Sequence, residues 1–210
     1  MMYMLELELN RYKCALFDLD GVVFDTEGQY SIFWKKEFER YRPDTQGMEH
    51  QIKGRVLTEI LSSFFPEAKQ EWSGIIARLN AWEASMKYEY IAGFEEFIAL
   101  LKKHKIKTAV VTSSNRAKME SVYEQHPEFK SLFDDILTAE DFDKSKPDPD
   151  CYLKGMARFA CTPEETLVLE DSVNGLKSGL ASGATLIGLV TTNPETVVRE
   201  YTTTIIKDYR

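Results

Sequence analysis

Cysteine is scarce in this chain, and its pattern excludes two classes of protein. The three cysteines, Cys14, Cys151 and Cys161, are far apart in the sequence and odd in number. They form neither a Cys-x-x-Cys pair nor a zinc-ligand spacing. We interpret them as reduced side chains that pack in the interior, which is typical of a cytoplasmic protein. Disulfide-rich secreted domains and zinc modules are thereby excluded.

Long apolar runs and an excess of positive charge are also missing. No apolar run approaches the ~20 residues that cross a bilayer. Residues 1–12 lack the apolar core of a signal peptide, and we expect them to form a loose start or an added edge. With 26 basic and 34 acidic residues, the formal net charge is −8. Because this charge repels polyanions, a broad surface for nucleic acid or for an anionic membrane is disfavoured.

The order of patterns along the chain predicts an α/β fold. Short apolar runs that suit buried strands alternate with helical stripes from Gly93 onward. Such alternation predicts a Rossmann-like parallel sheet flanked by helices and joined by right-handed crossovers. The predicted strands are residues 14–17, 108–111, 135–138, 166–169, 184–190 and 203–206.

A helical block lies between the first two predicted strands. Its three apolar stripes, at helical spacing, cover residues 30–41, 56–65 and 72–90. We interpret the stripes as core and expect Asp25 or Thr26 to cap the first helix. The sequence therefore predicts two domains: a catalytic core of residues 1–26 and 92–210, and an inserted helical domain of residues 27–91.

Two acidic residues follow the first predicted strand. Asp18 comes directly after the apolar run, and Asp20 and Gly21 follow. Carboxylates at the carboxyl end of a parallel strand face the crevice where open α/β sheets bind ligands. Two of them so close repel each other, so they need a cation, a shared proton or open solvent. A plain turn is the alternative interpretation, because Asp and Gly are turn formers.

Polar side chains also mark other loops at the same edge of the predicted sheet. They are Thr112 and Ser113 after the second strand, Lys146 in the loop of residues 144–150, and Glu170 and Asp171 after the fourth strand. Carboxylate oxygens without a nearby His or Cys suit Mg²⁺. A lysine and a hydroxyl beside them suit a phosphoryl group. The set therefore predicts a site for phosphoryl transfer.

The chain from Lys13 to its end resembles the haloacid dehalogenase superfamily, in its phosphatase and β-phosphoglucomutase-like branch. The resemblance rests on Asp18-Leu19-Asp20-Gly21-Val22, Thr112-Ser113-Ser114-Asn115, Lys146-Pro147-Asp148-Pro149, and Glu170-Asp171-Ser172 with Gly175. Each motif is short and weak alone. Together they are strong, because all four occur in the family's order at the predicted sheet edge.

The resemblance implies roles for the two acids of the first motif. Asp18 would be the nucleophile that forms an aspartyl-phosphate, and Asp20 would be the general acid and base. A carboxylate nucleophile splits one displacement into two easier ones. Family members that cleave carbon–halogen or carbon–phosphorus bonds lack the second acid, so the presence of Asp20 favours phosphoryl–oxygen chemistry.

The other motifs imply binding residues. The implied phosphate-binding residues are Thr112, Ser113 through its backbone N–H, and Lys146, and the implied Mg²⁺ ligands are Asp18, Asp20 through its backbone carbonyl, Glu170 and Asp171. Three alternatives stay open at this point. Thr112 could be only a strand-end cap, Lys146 a surface lysine, and Glu170 a solvent-facing residue beside a single ligand, Asp171.

The helical insertion resembles the family's cap, which closes over the site and selects the substrate. Lys53 or Arg55 could meet a substrate anion, or both could be solvated surface. Thr26 matches the pattern of the mutases, but Leu57 and Tyr30 stand where a mutase has a basic residue and a histidine. We therefore favour hydrolysis of a small phosphomonoester, such as a sugar phosphate, over a phosphomutase.

A catalytically silent binding protein on the same fold is the alternative from another class. Little supports it, because every chemical position of the motifs is filled. A nucleic-acid-binding module is disfavoured by the net charge and by the lack of a basic stripe. The predicted partner is thus a small phosphorylated substrate, and the oligomeric state is open between monomer and homodimer.

Overall fold

Parallel strands form one sheet in the computed structural model, which describes residues 9–45 and 47–210. The strands are β1 (Cys14–Phe17), β2 (Lys107–Val111), β3 (Asp135–Leu137), β4 (Thr166–Glu170), β5 (Thr185–Leu189) and β6 (Ile205–Ile206). Their order across the sheet is β3-β2-β1-β4-β5-β6, and every pair is parallel. The predicted α/β class with a Rossmann-like sheet is therefore confirmed.

Helices connect the strands and cover both faces of the sheet. The α-helices are α1 (Glu27–Tyr41), α2 (Leu57–Phe64), α3 (Trp72–Ser85), α4 (Phe94–Lys103), α5 (Arg116–Gln125), α6 (Phe129–Leu132), α7 (Asp150–Arg158), α8 (Val173–Ala181) and α9 (Glu195–Val198). Short 3₁₀ turns occupy Leu9–Arg11, Met48–His50, Pro66–Glu71, Ala139–Asp141 and Pro163–Glu165. None of the described helices is both long and apolar enough to cross a bilayer.

The central strand β1 brings the acidic motifs together. It pairs with β2 on one side and with β4 on the other, so that Phe17 lies between Val110 and Leu169. Every residue of β1 is buried. The order of connections reverses between β1 and β4, and the crevice at such a reversal is the usual ligand site of an open α/β sheet. Asp18 therefore leaves the sheet beside the end of β4.

Side chains of β1 alternate between two apolar clusters, one on each face of the sheet. Ala15 and Phe17 belong to the larger cluster, whereas Leu16 belongs to the other. This alternation is the period of two that a strand imposes. Both faces are apolar, which explains why the strand appears in the sequence as an uninterrupted apolar run.

The helical block of residues 27–91 builds a cluster of its own. Ten buried side chains between Phe33 and Leu79 pack together in it. The third predicted helical stripe is too long, because α3 ends at Ser85 and Met86 is extended. Met86 packs into the larger cluster on the sheet. A side chain that fits the helical spacing of the third stripe therefore belongs to the core of the sheet and not to the cluster of the helical block. The predicted domain boundaries stay a prediction.

Smaller differences concern the ends of elements. Glu170 is the last residue of β4 rather than part of the loop that follows it. The last helix is shorter than the predicted residues 194–201, and the last strand is shorter than the predicted residues 203–206. Of the predicted loose start, residues 1–8 lie outside the described part, whereas Leu9 is buried in the larger cluster.

Candidate active site

Lys146 lies at the centre of a buried cluster of charges. Its Nζ donates to Asp18 Oδ1 at 2.7 Å, to Glu170 Oε1 at 2.6 Å and to the carbonyl oxygen of Val111 at 3.2 Å. The lysine is only 1% exposed, which excludes its interpretation as a surface residue. The loop before α7 thus carries an ammonium to the ends of β1, β2 and β4.

Glu170 is completely buried and accepts hydrogen bonds on both oxygens. Oε1 accepts from Lys146 and, at 2.7 Å, from the hydroxyl of Tyr152. Oε2 accepts from the backbone N–H groups of Asp171 and Ser172, at 3.0 and 3.2 Å, and from the hydroxyl of Ser172. The alternative of a solvent-facing Glu170 is therefore wrong. Because α8 begins here, with Ser172 accepting from the N–H of Gly175, the carboxylate also lies at a helix N-terminus.

Asp171 is held by the loop after β5. Its Oδ2 accepts from the hydroxyl groups of Thr192 and Thr191, and its carbonyl oxygen accepts from the Asn193 amide at 2.8 Å. Its Oδ1 is buried without a hydrogen-bond partner among the described residues. This loop was not predicted to belong to the site. The signal was present, since polar residues also follow the fifth strand.

Asp20 is surrounded by donors from both the sheet edge and the start of α1. Its Oδ1 accepts from the hydroxyl of Thr26 at 2.5 Å. Its Oδ2 accepts from the hydroxyl of Ser114 at 3.2 Å and from Nζ of Lys118. Thr26 was expected to cap α1, but no side-chain capping bond forms there, because its hydroxyl is engaged by Asp20. Ser114 and Lys118 were not predicted.

The loop after β2 places its hydroxyl groups against the backbone. Thr112 is 1% exposed, and its Oγ1 accepts from the N–H of Ser114 at 3.0 Å. Ser113 donates from its hydroxyl to the carbonyl oxygen of Gly54 at 3.1 Å. The Ser113 hydroxyl is thus occupied, and the role of the Ser113 backbone N–H stays a prediction. Both residues line the cleft described below, where they stay predicted phosphate ligands.

The two predicted cations of the helical block differ in their surroundings. Lys53 forms an ion pair with Glu27, whose carboxylate oxygen is 2.7 Å from Nζ. Arg55 donates from Nε to the carbonyl oxygen of Gln51 at 3.2 Å, and its guanidinium lies 5.6 Å from the centre of the Phe64 ring. Lys53 is therefore already paired, whereas Arg55 forms no ion pair with a carboxylate of residues 9–45 or 47–210.

A cleft between the helical block and the sheet edge contains most of the predicted site residues. Six of the site residues predicted from the sequence line it: Asp18, Asp20, Lys53, Arg55, Thr112 and Ser113. Ser114, Tyr30, Trp34, Glu27 and Glu83 also line it. The six predicted residues thus meet around one opening, whereas the predicted site residues Thr26, Lys146, Glu170 and Asp171 do not line it.

Three carboxyl groups and one ammonium, that of Lys146, lie together in the buried cluster. Asp18, Glu170 and Asp171 each place an oxygen within 4.8 Å of the others. Burial raises the pKa of Asp18 to about 7, although the Lys146 charge lowers it. Burial, and then the charge of Glu27, raises the pKa of Asp171 well above its usual range. Burial opposes the charge of Lys146, but the nearby carboxylates raise its pKa overall.

Residues 15–189 match the family model described as haloacid dehalogenase-like hydrolase. This match spans most of the chain and includes all four motifs on the sheet edge. The chain therefore belongs to the haloacid dehalogenase-like hydrolases.

Relatives in several organisms agree with this assignment. The bifunctional riboflavin kinase/FMN phosphatase of Arabidopsis thaliana is 30% identical over 182 residues, which are 84% of this chain and 48% of that protein. Hexitol phosphatase A of Escherichia coli (strain K12) is 30% identical over 187 residues, covering 85% of this chain and 83% of that protein. Beta-phosphoglucomutase of Bacillus subtilis (strain 168) is 25% identical over 191 residues, which cover 84% of this chain and 83% of that protein. The chain thus spans about half the length of the plant protein and most of the bacterial ones.

A solved structure shares the fold. The HAD hydrolase, family IA, variant 3, from Entamoeba histolytica superposes with a TM-score of 0.79. The superposition covers 94% of this chain and 93% of the other, at 21% identity. At this identity the similarity concerns the fold alone.

Proposed function

We propose that this protein is a Mg²⁺-dependent phosphatase that hydrolyses a small phosphomonoester, such as a sugar phosphate, through an aspartyl-phosphate on Asp18. The observation that carries the proposal is the buried cluster of Asp18, Glu170 and Asp171, whose oxygens lie within 4.8 Å of one another beside the ammonium of Lys146. Phosphoryl transfer depends on positioning and on stabilisation of charge, and this cluster offers both. Relatives named as phosphatases support the same activity.

The donor atoms of the cluster suit Mg²⁺. Oδ1 of Asp171 is buried, has no hydrogen-bond partner within residues 9–45 and 47–210, and has a lone pair to give to a cation. Carboxylate and carbonyl oxygens are the ligands that Mg²⁺ prefers. Asp18, Asp171 and the backbone carbonyl of Asp20 would hold the ion. Glu170, which was also predicted as a ligand, already accepts hydrogen bonds on both oxygens and would add negative charge beside them. When bound, the ion would offset the charge of the substrate phosphate.

The residues of the chain account for both steps of hydrolysis. In the first step, Asp18 attacks phosphorus, the bond from phosphorus to the leaving oxygen breaks, and Asp20 gives its proton to that oxygen. In the second step, water attacks the phosphorus of the aspartyl-phosphate while Asp20 takes a proton from that water. The bond between phosphorus and Asp18 then breaks, and inorganic phosphate leaves. Lys146, Thr112 and the backbone N–H of Ser113 would hold the oxygens of the transferred group.

We propose further that residues 27–91 act as a cap over this site. Polar contacts from the cap to the sheet edge include Gly54 with Ser113 at 3.1 Å, the Lys53 carbonyl with Asn174 at 2.9 Å, and Glu59 with the Ser145 hydroxyl. Water can replace such polar contacts as hydrogen-bond partners, so a cap held by them could open and close with a moderate change in free energy. Arg55 is the better candidate to meet an anionic part of the substrate, because Lys53 is already paired with Glu27.

Phosphate release tests the proposal. We would measure it from sugar phosphates, nucleotides and pyrophosphate, with Mg²⁺ or with EDTA, on the wild type, Asp18→Asn and a control, Asp143→Asn. The Asp143 side chain is 85% exposed and pairs only at the surface with Lys154, so this control should behave as the wild type. We expect Mg²⁺-dependent release that is lost in Asp18→Asn.

Two other outcomes would overturn parts of this proposal. Release that persists in Asp18→Asn would exclude Asp18 as the nucleophile. A folded wild type that transfers a phosphoryl group between positions of a sugar bisphosphate, with little free phosphate, would be a phosphomutase instead.

A further inference from the structure

A second buried lysine contacts the second acid of the first motif. Lys118 lies in α5 and is 2% exposed. Its Nζ donates to Oδ2 of Asp20 and, at 3.0 Å, to the hydroxyl of Ser114. Each acid of the motif therefore has its own buried lysine: Lys146 for Asp18 and Lys118 for Asp20. The reaction steps above use Lys146 and leave Lys118 without a role.

The backbone of Lys118 is held by the loop after β2. The side chain of Asn115 accepts from the N–H of Lys118 at 2.9 Å and caps α5. Because the same loop contributes Thr112 and Ser113 to the cleft, the position of Lys118 is tied to that of the predicted phosphate ligands. A cap of this kind holds the first turn of a helix in place.

The ammonium of Lys118 also contacts the helical block. Nζ lies 4.7 Å from the centre of the Tyr30 ring, within the range of a cation–π contact. The hydroxyl of Tyr30 in turn donates to Glu83 Oε1 at 2.8 Å, and Glu83 is 5% exposed. Tyr30 is in α1 and Glu83 is in α3, so two α-helices of the block are involved: α1 contacts Lys118 directly and α3 holds Tyr30.

The carboxyl group of Asp20 is consequently fixed at both oxygens. Thr26 holds Oδ1 from the start of α1, while Ser114 and Lys118 hold Oδ2 from the sheet edge. Proton transfer by a side chain depends first on its geometry relative to the reacting oxygen. A long lysine side chain loses much rotamer freedom when it is buried, so its position here must be secured by several contacts at once.

We propose that Lys118 is a positioning residue, which orients the carboxyl group of Asp20 for proton transfer while Tyr30 and Glu83 of the helical block keep Lys118 in place. This inference rests on the proposed function, because it assumes that Asp20 protonates the leaving oxygen. It predicts that replacement of Lys118 lowers kcat/KM more for substrates whose leaving oxygen requires protonation than for substrates whose leaving oxygen does not.

Two aryl phosphates of similar shape separate this role from a merely structural one. The leaving group of 4-nitrophenyl phosphate departs readily without a proton, whereas that of phenyl phosphate needs protonation. We expect Lys118→Met to lower kcat/KM at least about tenfold more on phenyl phosphate than on 4-nitrophenyl phosphate, within the range of general acid catalysis. Lys118→Arg, which keeps a charged donor, should restore part of this difference. Equal losses on both substrates would overturn the proposal.

A double-mutant cycle gives a second readout. In Asp20→Asn, the carboxyl group that Lys118 orients is gone, so the further change Lys118→Met should alter kcat/KM less than about twofold. Losses that multiply would overturn the positioning role. The double variant removes both charges of the ion pair. If Lys118→Met alone does not fold, a large further loss of kcat/KM in the double variant relative to Asp20→Asn would still overturn the proposal.

The controls distinguish this inference from the proposed function. Lys107→Met removes an exposed lysine at the start of β2, where Nζ is 2.6 Å from Asp134, and it should leave both substrates unaffected. If Asp20→Asn turned over phenyl phosphate as well as the wild type does, the proposed function of Asp20 would fail. If Asp20→Asn is impaired but Lys118→Met is not, the role of Lys118 alone would fail.

Discussion

The replacement Gly175→Ala tests how tightly the buried cluster is built. Gly175 lies in α8, where alanine ordinarily stabilises a helix by about 1 kcal/mol relative to glycine. Here an added Cβ would lie 1.8 Å from Oε1 of Glu170, 1.9 Å from its Cδ and 2.1 Å from its Oε2. These distances are far shorter than any van der Waals contact. Glu170 is fully buried, so its carboxylate can move away only by giving up its bonds to Lys146 and Tyr152.

The expected loss of stability follows from these contacts. Separation of one partner from a buried ion pair costs about 3–5 kcal/mol. The higher helix propensity of alanine returns about 1 kcal/mol. We therefore expect Gly175→Ala to lower the free energy of unfolding by about 2–4 kcal/mol. Phosphatase activity should fall as well, because Glu170 would no longer hold Lys146 against Asp18.

Urea unfolding followed by far-ultraviolet circular dichroism measures this loss. The matched control is Gly28→Ala in α1, where an added Cβ meets no atom within 4 Å. This control should stabilise the protein by up to about 1 kcal/mol. If Gly175→Ala proved as stable as the wild type, or gained stability as the control does, the close packing of α8 on Glu170 would be refuted.

Further predictions concern charges. Lys146→Met leaves two buried carboxylates without their ammonium and should cost about 3–5 kcal/mol; a loss below about 1 kcal/mol by urea unfolding in EDTA would contradict the pairing. Burial raises the pKa of Asp18 to about 7, so the folded state keeps a proton that the unfolded chain has already lost. The free energy of unfolding without metal should therefore fall from about pH 4 to pH 7, and unfolding curves at pH 5 and pH 8 check this sign. In the helical block, Arg78 donates to both oxygens of the buried Glu37 at 2.8 and 2.6 Å. Arg78→Met should cost about 1–3 kcal/mol, and unchanged urea unfolding would exclude a stabilising pair.

Much of the sheet edge was predictable because the carboxyl ends of parallel strands meet there. Asp18, Lys146 and Asp171 follow or connect short apolar runs, and the parallel order then brings them together. The same rule would also have found Thr192 after β5. Thr192 lies outside the four motifs that carry the resemblance to the family, so those motifs alone do not point to it.

Contacts between helices were not predictable in the same way. Lys118 follows the motif at Thr112 by a few residues, and its spacing in α5 does not reveal which acid it meets. Helical spacing also misassigned Met86, whose apolar side chain fits the stripe of α3 but packs on the sheet. Thr26 stood at a suitable position for a helix cap, yet its hydroxyl is engaged by Asp20.

The sequence by itself determined the alternation of strands and helices, the helical insertion and the positions of the acidic motifs. These features depend on the local periodicity of apolar residues and on the polar residues that follow each apolar run. Both are set by residues that are neighbours in the sequence. Only the tertiary structure decided that Lys118 pairs with Asp20, that Lys53 pairs with Glu27, and that one oxygen of Asp171 has no hydrogen-bond partner in the described part of the chain. Such pairings depend on how helices distant in the sequence pack across the cleft, and no local pattern specifies that packing.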